Sequence, residues 1–188
     1  MLATKPYDRE KALAYAARWA RGRNPLFYNF TGVGGDCTNF VSQCVLAGSC
    51  VMNFTPDFGW YYRNVNDRAP AFTGVEFFWD FFTGAPDFAS VNGGIGPFGR
   101  AVEATEAVPG DVVQLGDRTE SFYHTLLITA RMGEELYVSA HSNDVYNRPL
   151  SAYDAPIKRY LHIEGVRFEV ADAPCFEGLI TGRALPLS

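Results

Sequence analysis

Gly34-Gly35-Asp36-Cys37-Thr38-Asn39-Phe40-Val41-Ser42-Gln43-Cys44 is the stretch that decides the reading of this chain, because it passes from a glycine turn straight into a helical pattern. Paired glycines let the backbone turn sharply and leave the side chains that follow uncovered. Asp36 or Gly35 stands where a helix takes its N-cap. Cys37, Phe40, Val41 and Cys44 then fall at i, i+3, i+4 and i+7, one apolar helical face, in a helix expected over about 37–47 with Gly48 beyond its end. A thiol in the first turn meets unpaired backbone N–H groups and the positive end of the macrodipole, both of which stabilise a thiolate. Cys37 is therefore a candidate nucleophile at the rim of the packing face. The competing reading is a small buried cysteine of the inert kind common in cores.

Working outward, Ala12, Leu13, Tyr15, Ala16 and Trp19 recur at helical spacing between Asp8 and Arg21, and Gly22 with Asn24-Pro25 stops that helix. Residues 51–73 read as a long connection carrying Trp60, Tyr61 and Tyr62, of the aromatic kind that builds binding sites. Phe77, Phe78, Trp79, Phe81 and Phe82 form a stripe in a third helix between Gly74 and Gly84, read as core packing, and Gly93-Gly94 with Gly96-Pro97 reads as a loop. From Pro109-Gly110 onward the pattern changes to short strands over 111–115, 123–130, 135–141 and about 159–163, with 166–170 and 179–181 as further short strands. Helices followed by an antiparallel sheet make an α+β plan, and 188 residues fit a single domain, 1–188.

Composition excludes several functions. A net charge of −5, with Lys and Arg scattered, carries no nucleic-acid footprint. Residues 1–20 hold Lys5, Asp8, Arg9, Glu10 and Lys11 where a signal peptide needs an apolar run, and no segment has the length of a membrane span, so no membrane partner is expected. The compartment, secreted or cytoplasmic, and the oligomeric state stay open. Cysteines at 37, 44, 50 and 175 lack C-x-x-C spacing, so no zinc motif is expected, and in a chain of this size their even number does not make a disulfide framework. Fifteen Phe, ten Tyr and three Trp point to an aromatic core and an aromatic-lined groove.

Three histidines, at 124, 141 and 162, limit the search for a base. His124 opens one strand and His141 closes the next. A turn at Met132-Gly133, with Arg131 facing Glu134, places His124 directly opposite His141, at a Cβ separation of about 4.5–5.5 Å. That is a base with an orienter, as an activated nucleophile requires. A two-residue shift brings Asn143 opposite His124 instead, so Asn143 is the alternative third residue and Asp144 a more distant one. His162 is read as structural. Asn39, Ser42 and Gln43 are read as caps or solvent-facing residues, with Asn39 placed beside the site as the alternative. Cys37, His124 and His141 as soft metal ligands form a third reading, which lacks a fourth ligand or a nearby carboxylate. No metal and no cofactor are expected.

Gly35-Asp36-Cys37-Thr38-Asn39-Phe40-Val41-Ser42-Gln43, the upstream Arg23-Asn24-Pro25, Trp60, Pro109-Gly110-Asp111-Val112-Val113 and Tyr123-His124-Thr125 together resemble the bacterial putative amidase domain, which is similar to the NlpC/P60 and CHAP families of papain-like hydrolases. The resemblance runs from about Tyr7 to Leu150, giving a core of about 7–163 and a C-terminal extension over 164–188. It implies a circularly permuted papain-like fold, N-terminal helices on an antiparallel sheet, with cysteine at a helix start, histidine on the first strand of a hairpin and a polar third residue, His141 or Asn143. The implied reaction is thiolate attack on an amide carbonyl, a thioester intermediate and hydrolysis by water activated through His124. The Cys37 N–H is the implied oxyanion donor, with Tyr28 or Asn29 as weaker candidates for the second. The implied substrate is an amide, peptidoglycan peptides among the candidates. The alternative function is an inactive cell-wall or glycan binding module that uses the aromatic groove.

Overall fold

The computed structural model describes residues 1–85, 91–169 and 174–187. Helix α1 (Arg9–Trp19) is capped by the Asp8 carboxylate, which accepts from the Lys11 N–H, and it buries Ala12, Tyr15, Ala16 and Trp19 as its spacing predicts. Helix α2 (Cys37–Ser49) starts at the expected cysteine but is buried on every side rather than along one face. Its polar residues are buried because each meets a partner: Thr38 Oγ1 lies 2.9 Å from Thr125 Oγ1, Ser42 Oγ accepts from Trp60 Nε1 at 3.0 Å, and Gln43 Oε1 accepts from Tyr15 Oη at 2.8 Å. The expectation of solvent-facing Ser42 and Gln43 is thereby corrected.

Gly48 does not end α2. A Cβ there would lie 2.5 Å from the Tyr7 ring and 2.6 Å from the Asp8 carbonyl, so the glycine serves a close approach of the N-terminal segment. The helix ends at Cys50, whose backbone is left-handed (φ 53°) and whose sulfur is bonded to Cys175. This disulfide was not expected from the cysteine count. It crosses 125 residues and ties the end of α2 to the start of helix α5 (Phe176–Ile180), where a strand over 179–181 was expected. The end of the strand expected over 166–170 lies outside the described residues.

Residues 51–73 are not one open connection. They hold a small hairpin, β2 (Tyr62–Asn64) with β3 (Asp67–Arg68), and a helical turn, α3 (Pro70–Thr73), before α4 (Val75–Thr83). Trp60 and Tyr62 are buried in the core with Phe72, Phe78 and Phe82, so these rings make no groove.

Strands β1 (Ala3–Lys5), β4 (Gly96–Val102), β5 (Val112–Gly116), β6 (Phe122–Met132), β7 (Glu135–Ala140), β8 (Val145–Pro149) and β9 (Ile157–Phe168) form one antiparallel sheet in the order β1-β9-β5-β6-β7-β8. β9 carries β4 along its other edge, so the expected loop at Gly96-Pro97 is a strand. Val112, Leu127 and Leu161 pack on the helices, while their neighbours Val113, Leu126 and Ile128 join a second cluster on the opposite face. That alternation follows from the strand period of two. The architecture is thus α+β with a mostly antiparallel sheet. Among the described residues no helix is long and apolar enough to cross a membrane.

Candidate active site

Cys37, His124 and Asn143 line one pocket of about 360 Å³, together with Gly34, Gly35, Leu115, Tyr123, Ser142, Arg148, Tyr153 and Asp154. Gly34 and Gly35 have φ of 90° and 103°, the left-handed conformations that bring the chain sharply into α2. Asp36 holds the N-cap position through its carbonyl, which accepts from the Phe40 N–H at 3.0 Å, but its side chain caps nothing. The Cys37 N–H belongs to the first turn, where no intrahelical acceptor exists. Its sulfur contacts Thr38 Oγ1 at 3.8 Å and makes no hydrogen bond to either His124 or His141.

The expected opposition of His124 and His141 is not formed. Met132 pairs with Glu135, so the turn is Gly133-Glu134, with Gly133 in the left-handed region (φ 62°), and a bulge near Thr129 shifts the register again. β7 then ends at Ala140, and the cross-strand neighbour of His124 is Leu115 on β5. His124 stands on the Leu126 and Ile128 face of β6, whereas Thr125 turns to α2. Among the described residues no polar partner reaches its ring, which neighbours Tyr153 with centroids 6.2 Å apart. Burial lowers the His124 pKa to about 4, so near neutrality the ring is uncharged and keeps a lone pair free to accept a proton.

His141 sits elsewhere. Its ring stacks on Phe40 at 4.1 Å, Nδ1 lies 2.6 Å from Asp36 Oδ2, and Nε2 lies 3.0 Å from the Trp19 carbonyl. Both neighbours are acceptors, so both bonds form only when both nitrogens donate, and such a ring has no lone pair left for base chemistry. Asp36 also accepts from the Phe30 N–H (3.1 Å) and Asn39 Nδ2 (2.9 Å), and its Oδ2 forms an ion pair with Arg23, whose Nε lies 3.2 Å away. Arg23 forks onto both oxygens of Asp144 at 2.9 Å. Burial works to raise the Asp144 carboxyl, and the Arg23 fork more than offsets it, holding the group below the usual carboxylate range. Asp144 is therefore engaged away from the pocket.

Between these two settings the chain reverses through Ser142 and Asn143, both left-handed at φ 66° and 83°. Ser142 Oγ accepts from the Asp36 N–H at 3.2 Å, and Asn143, exposed, lines the pocket. The reversal buries His141 while delivering Asn143 to the side of Cys37 and His124. Neither oxyanion candidate upstream lines the pocket: the Tyr28 N–H donates to Tyr62 Oη at 2.8 Å, and Asn29 Oδ1 accepts from Arg23. Among the described residues no three His, Cys, Asp or Glu side chains converge as metal ligands would.

His162 is placed as a structural residue. Its Nδ1 lies 2.8 Å from Asp111 Oδ2, and Asp111, fully buried, also binds Arg9 at 2.7 Å. Sequence reasoning missed Asp36 as the centre of a hydrogen-bond cluster, because a helix-start aspartate reads first as a cap. It also missed Arg148 and Tyr153, which no motif marks.

Comparison with known proteins gives three findings. The model of a family described as putative amidase domain matches residues 6–163. YhbB, an uncharacterized protein of Bacillus subtilis (strain 168), is 29% identical over 153 residues, 79% of this chain and 46% of that protein, so the chain spans about half the length of the curated relative it matches. No solved structure gives a significant match.

Proposed function

Because the chain belongs to the putative amidase domain family, we propose that it is a thiol-dependent hydrolase of amide bonds in the manner of NlpC/P60 and CHAP cysteine peptidases, with Cys37 as nucleophile and His124 as general base. The observation that carries this reading is the single pocket onto which a helix-start thiol, an uncharged imidazole and a carboxamide all open. In the reaction His124 takes the proton of the Cys37 thiol as the sulfur attacks the carbonyl carbon. The Cys37 N–H, unused within the helix, donates to the developing oxyanion. His124 then protonates the departing amine, leaving a thioester, and deprotonates the water that releases the acid and restores the thiol.

Asn143, which lines the same pocket and makes no bond to His124 in this structure, is the third residue of this proposal, its carboxamide turning to orient the ring when substrate binds. His141 serves as an anchor beneath it, since both its nitrogens are committed to Asp36 and Trp19. The thiol–imidazole bond, not formed in this structure, forms in the proposed mechanism when substrate fills the pocket, as apo geometries of such pairs are often open. Bacterial cell-wall peptides are the substrate class to try first.

Mass-spectrometric mapping of iodoacetamide labelling at neutral pH tests the assignment. Cys37 is expected to label far faster than the buried Cys44, and His124→Gln to slow it about tenfold or more. Labelling at Cys44 with Cys37 silent, or a Cys37 rate indifferent to His124→Gln, would sink the mechanism. With peptidoglycan as substrate, Cys37→Ala is expected to release no new amine.

A further inference from the structure

The pocket beside Cys37 contains a cation that the protein leaves without an acid. Arg148 lies on β8, paired with Val138 of β7, and is half-buried. Its Nη2 donates to the Ala152 carbonyl at 3.2 Å, and its guanidinium lies over the Tyr153 ring, 4.6 Å from the centroid. Among the described residues no carboxylate comes within 4.0 Å of it. Arg9 pairs with Asp111, Arg23 with Asp36 and Asp144, and Arg159 with Glu76; Arg68 and Arg131 also bond only carbonyls or a hydroxyl, but neither lines this pocket.

A half-buried guanidinium is partly stripped of water and gains by meeting an anion, and its planar donors fit a carboxylate in a fork. Stacking on Tyr153 and the single bond to Ala152 fix its plane while leaving most of its N–H donors unused. The Tyr153 ring neighbours both groups, 4.6 Å from the guanidinium and 6.2 Å from the His124 ring, and all three line the pocket that Cys37 opens on. Asp154 is the acid that lines the same pocket. It is exposed, so water and salt screen its charge more than they screen Arg148.

We propose that Arg148, held flat on Tyr153, is a carboxylate subsite, and that the amide cleaved belongs to an acidic peptide-like molecule with a carboxylate close to the scissile bond. This rests on Cys37 being the nucleophile. The carboxylate is either a chain terminus or an acidic side chain; the chemistry read by Arg148 is the same.

The test compares Cys37 alkylation by iodoacetate and by iodoacetamide, a charged and a neutral reagent of nearly the same shape, each rate divided by that of N-acetylcysteine. Wild type is expected to favour iodoacetate by about fivefold to tenfold. Arg148→Gln should abolish that preference, and Arg148→Lys, which keeps the charge without the fork, should retain part of it. N-acetylglycine and the α-amide of N-acetylglutamic acid, offered as protectants against iodoacetamide, distinguish a terminal from a side-chain carboxylate. The proposal requires that at least one protects wild type and loses effect in Arg148→Gln. A ratio unchanged by Arg148→Gln, or no protection by either acid, overturns the subsite and leaves the nucleophile standing. Absence of Cys37 alkylation by both reagents overturns the subsite and the proposed function together.

Discussion

Two of the three histidines sit in closed clusters and the third opens on a pocket. Asp36 with Arg23 and His141, and Asp111 with Arg9 and His162, repeat one arrangement: a buried aspartate pairs with an arginine and is bonded to an imidazole Nδ1 and a backbone N–H. Among the described residues His124 has no polar partner and Arg148 has no acid. A buried polar group left unpaired costs free energy, so proteins normally satisfy it. Groups met by the protein itself hold the fold. Groups that face a cavity unmet are the ones available to a substrate.

The comparison breaks most readily at Asp36. Removing its carboxylate strands the His141 Nδ1 and the Phe30 N–H inside the protein and takes one partner each from the Asn39 amide and from Arg23, which keeps Asp144. Asp36→Ala is expected to cost about 3–5 kcal/mol of stability by urea unfolding. A loss under about 1 kcal/mol would mean that water already reaches this cluster and that it is not closed.

The disulfide closes the fold covalently. By joining Cys50 to Cys175 it removes a loop of 125 residues from the freedom of the unfolded chain. The paired Cys50→Ser, Cys175→Ser variant should lose about 2–4 kcal/mol. Because the bridge joins the far end of α2, Cys37 alkylation in the folded variant should be unaltered; a slowed rate would show that the pocket depends on it.

Acid sharpens the contrast from the open side. Burial holds His124 at a pKa of about 4, against 6.5 for an exposed imidazole. Above pH 6.5 both folded and unfolded states carry it neutral. As pH falls from 6.5 to about 4 the unfolded chain binds a proton that folded His124 refuses, and stability is lost, by up to about 3 kcal/mol. Urea midpoints at pH 7.5 and 4.5 should therefore move less in His124→Gln than in wild type. Equal movement would mean that His124 has a partner able to stabilise its charged form.

Much of this was legible in the sequence, and the failures have physical causes. The helices at 9–19 and 37–49 and the strands from 112 to 140 follow apolar periodicity, and Cys37 at a helix start follows from Gly34-Gly35. The wrong histidine pairing came from one residue of turn placement: left-handed Gly133 takes the first position of the turn, not the second, and a bulge at Thr129 is invisible to alternation. Residues 51–73 read as a binding loop because loops and cores both use aromatics. Only tertiary contact shows Trp60 donating to Ser42 of the central helix. Arg148 could not be found beforehand, since its meaning lies in what fails to approach it.

The smallest effect is expected at His162, where the closed cluster is nearest to water. Its side chain is 28% exposed, whereas Asp111 is fully buried. Nδ1 lies 2.8 Å from Asp111 Oδ2 and 3.4 Å from Arg9 Nη2; the shorter contact, to a carboxylate, fixes the hydrogen on Nδ1, and Arg9 Nη2 donates instead to the Ile163 carbonyl at 2.7 Å. Without the imidazole, Asp111 keeps Arg9 and the N–H groups of Val108 and Ile163, and water can reach the vacated oxygen. His162→Gln should cost about 1 kcal/mol, against several for Asp111→Ala, and leave Cys37 alkylation by iodoacetamide unchanged. A slowed thiol in that variant would break the division between closed cluster and open pocket, because the cluster would then be felt at Cys37 through the β9 and β5 pairing that joins His162 to the sheet bearing His124.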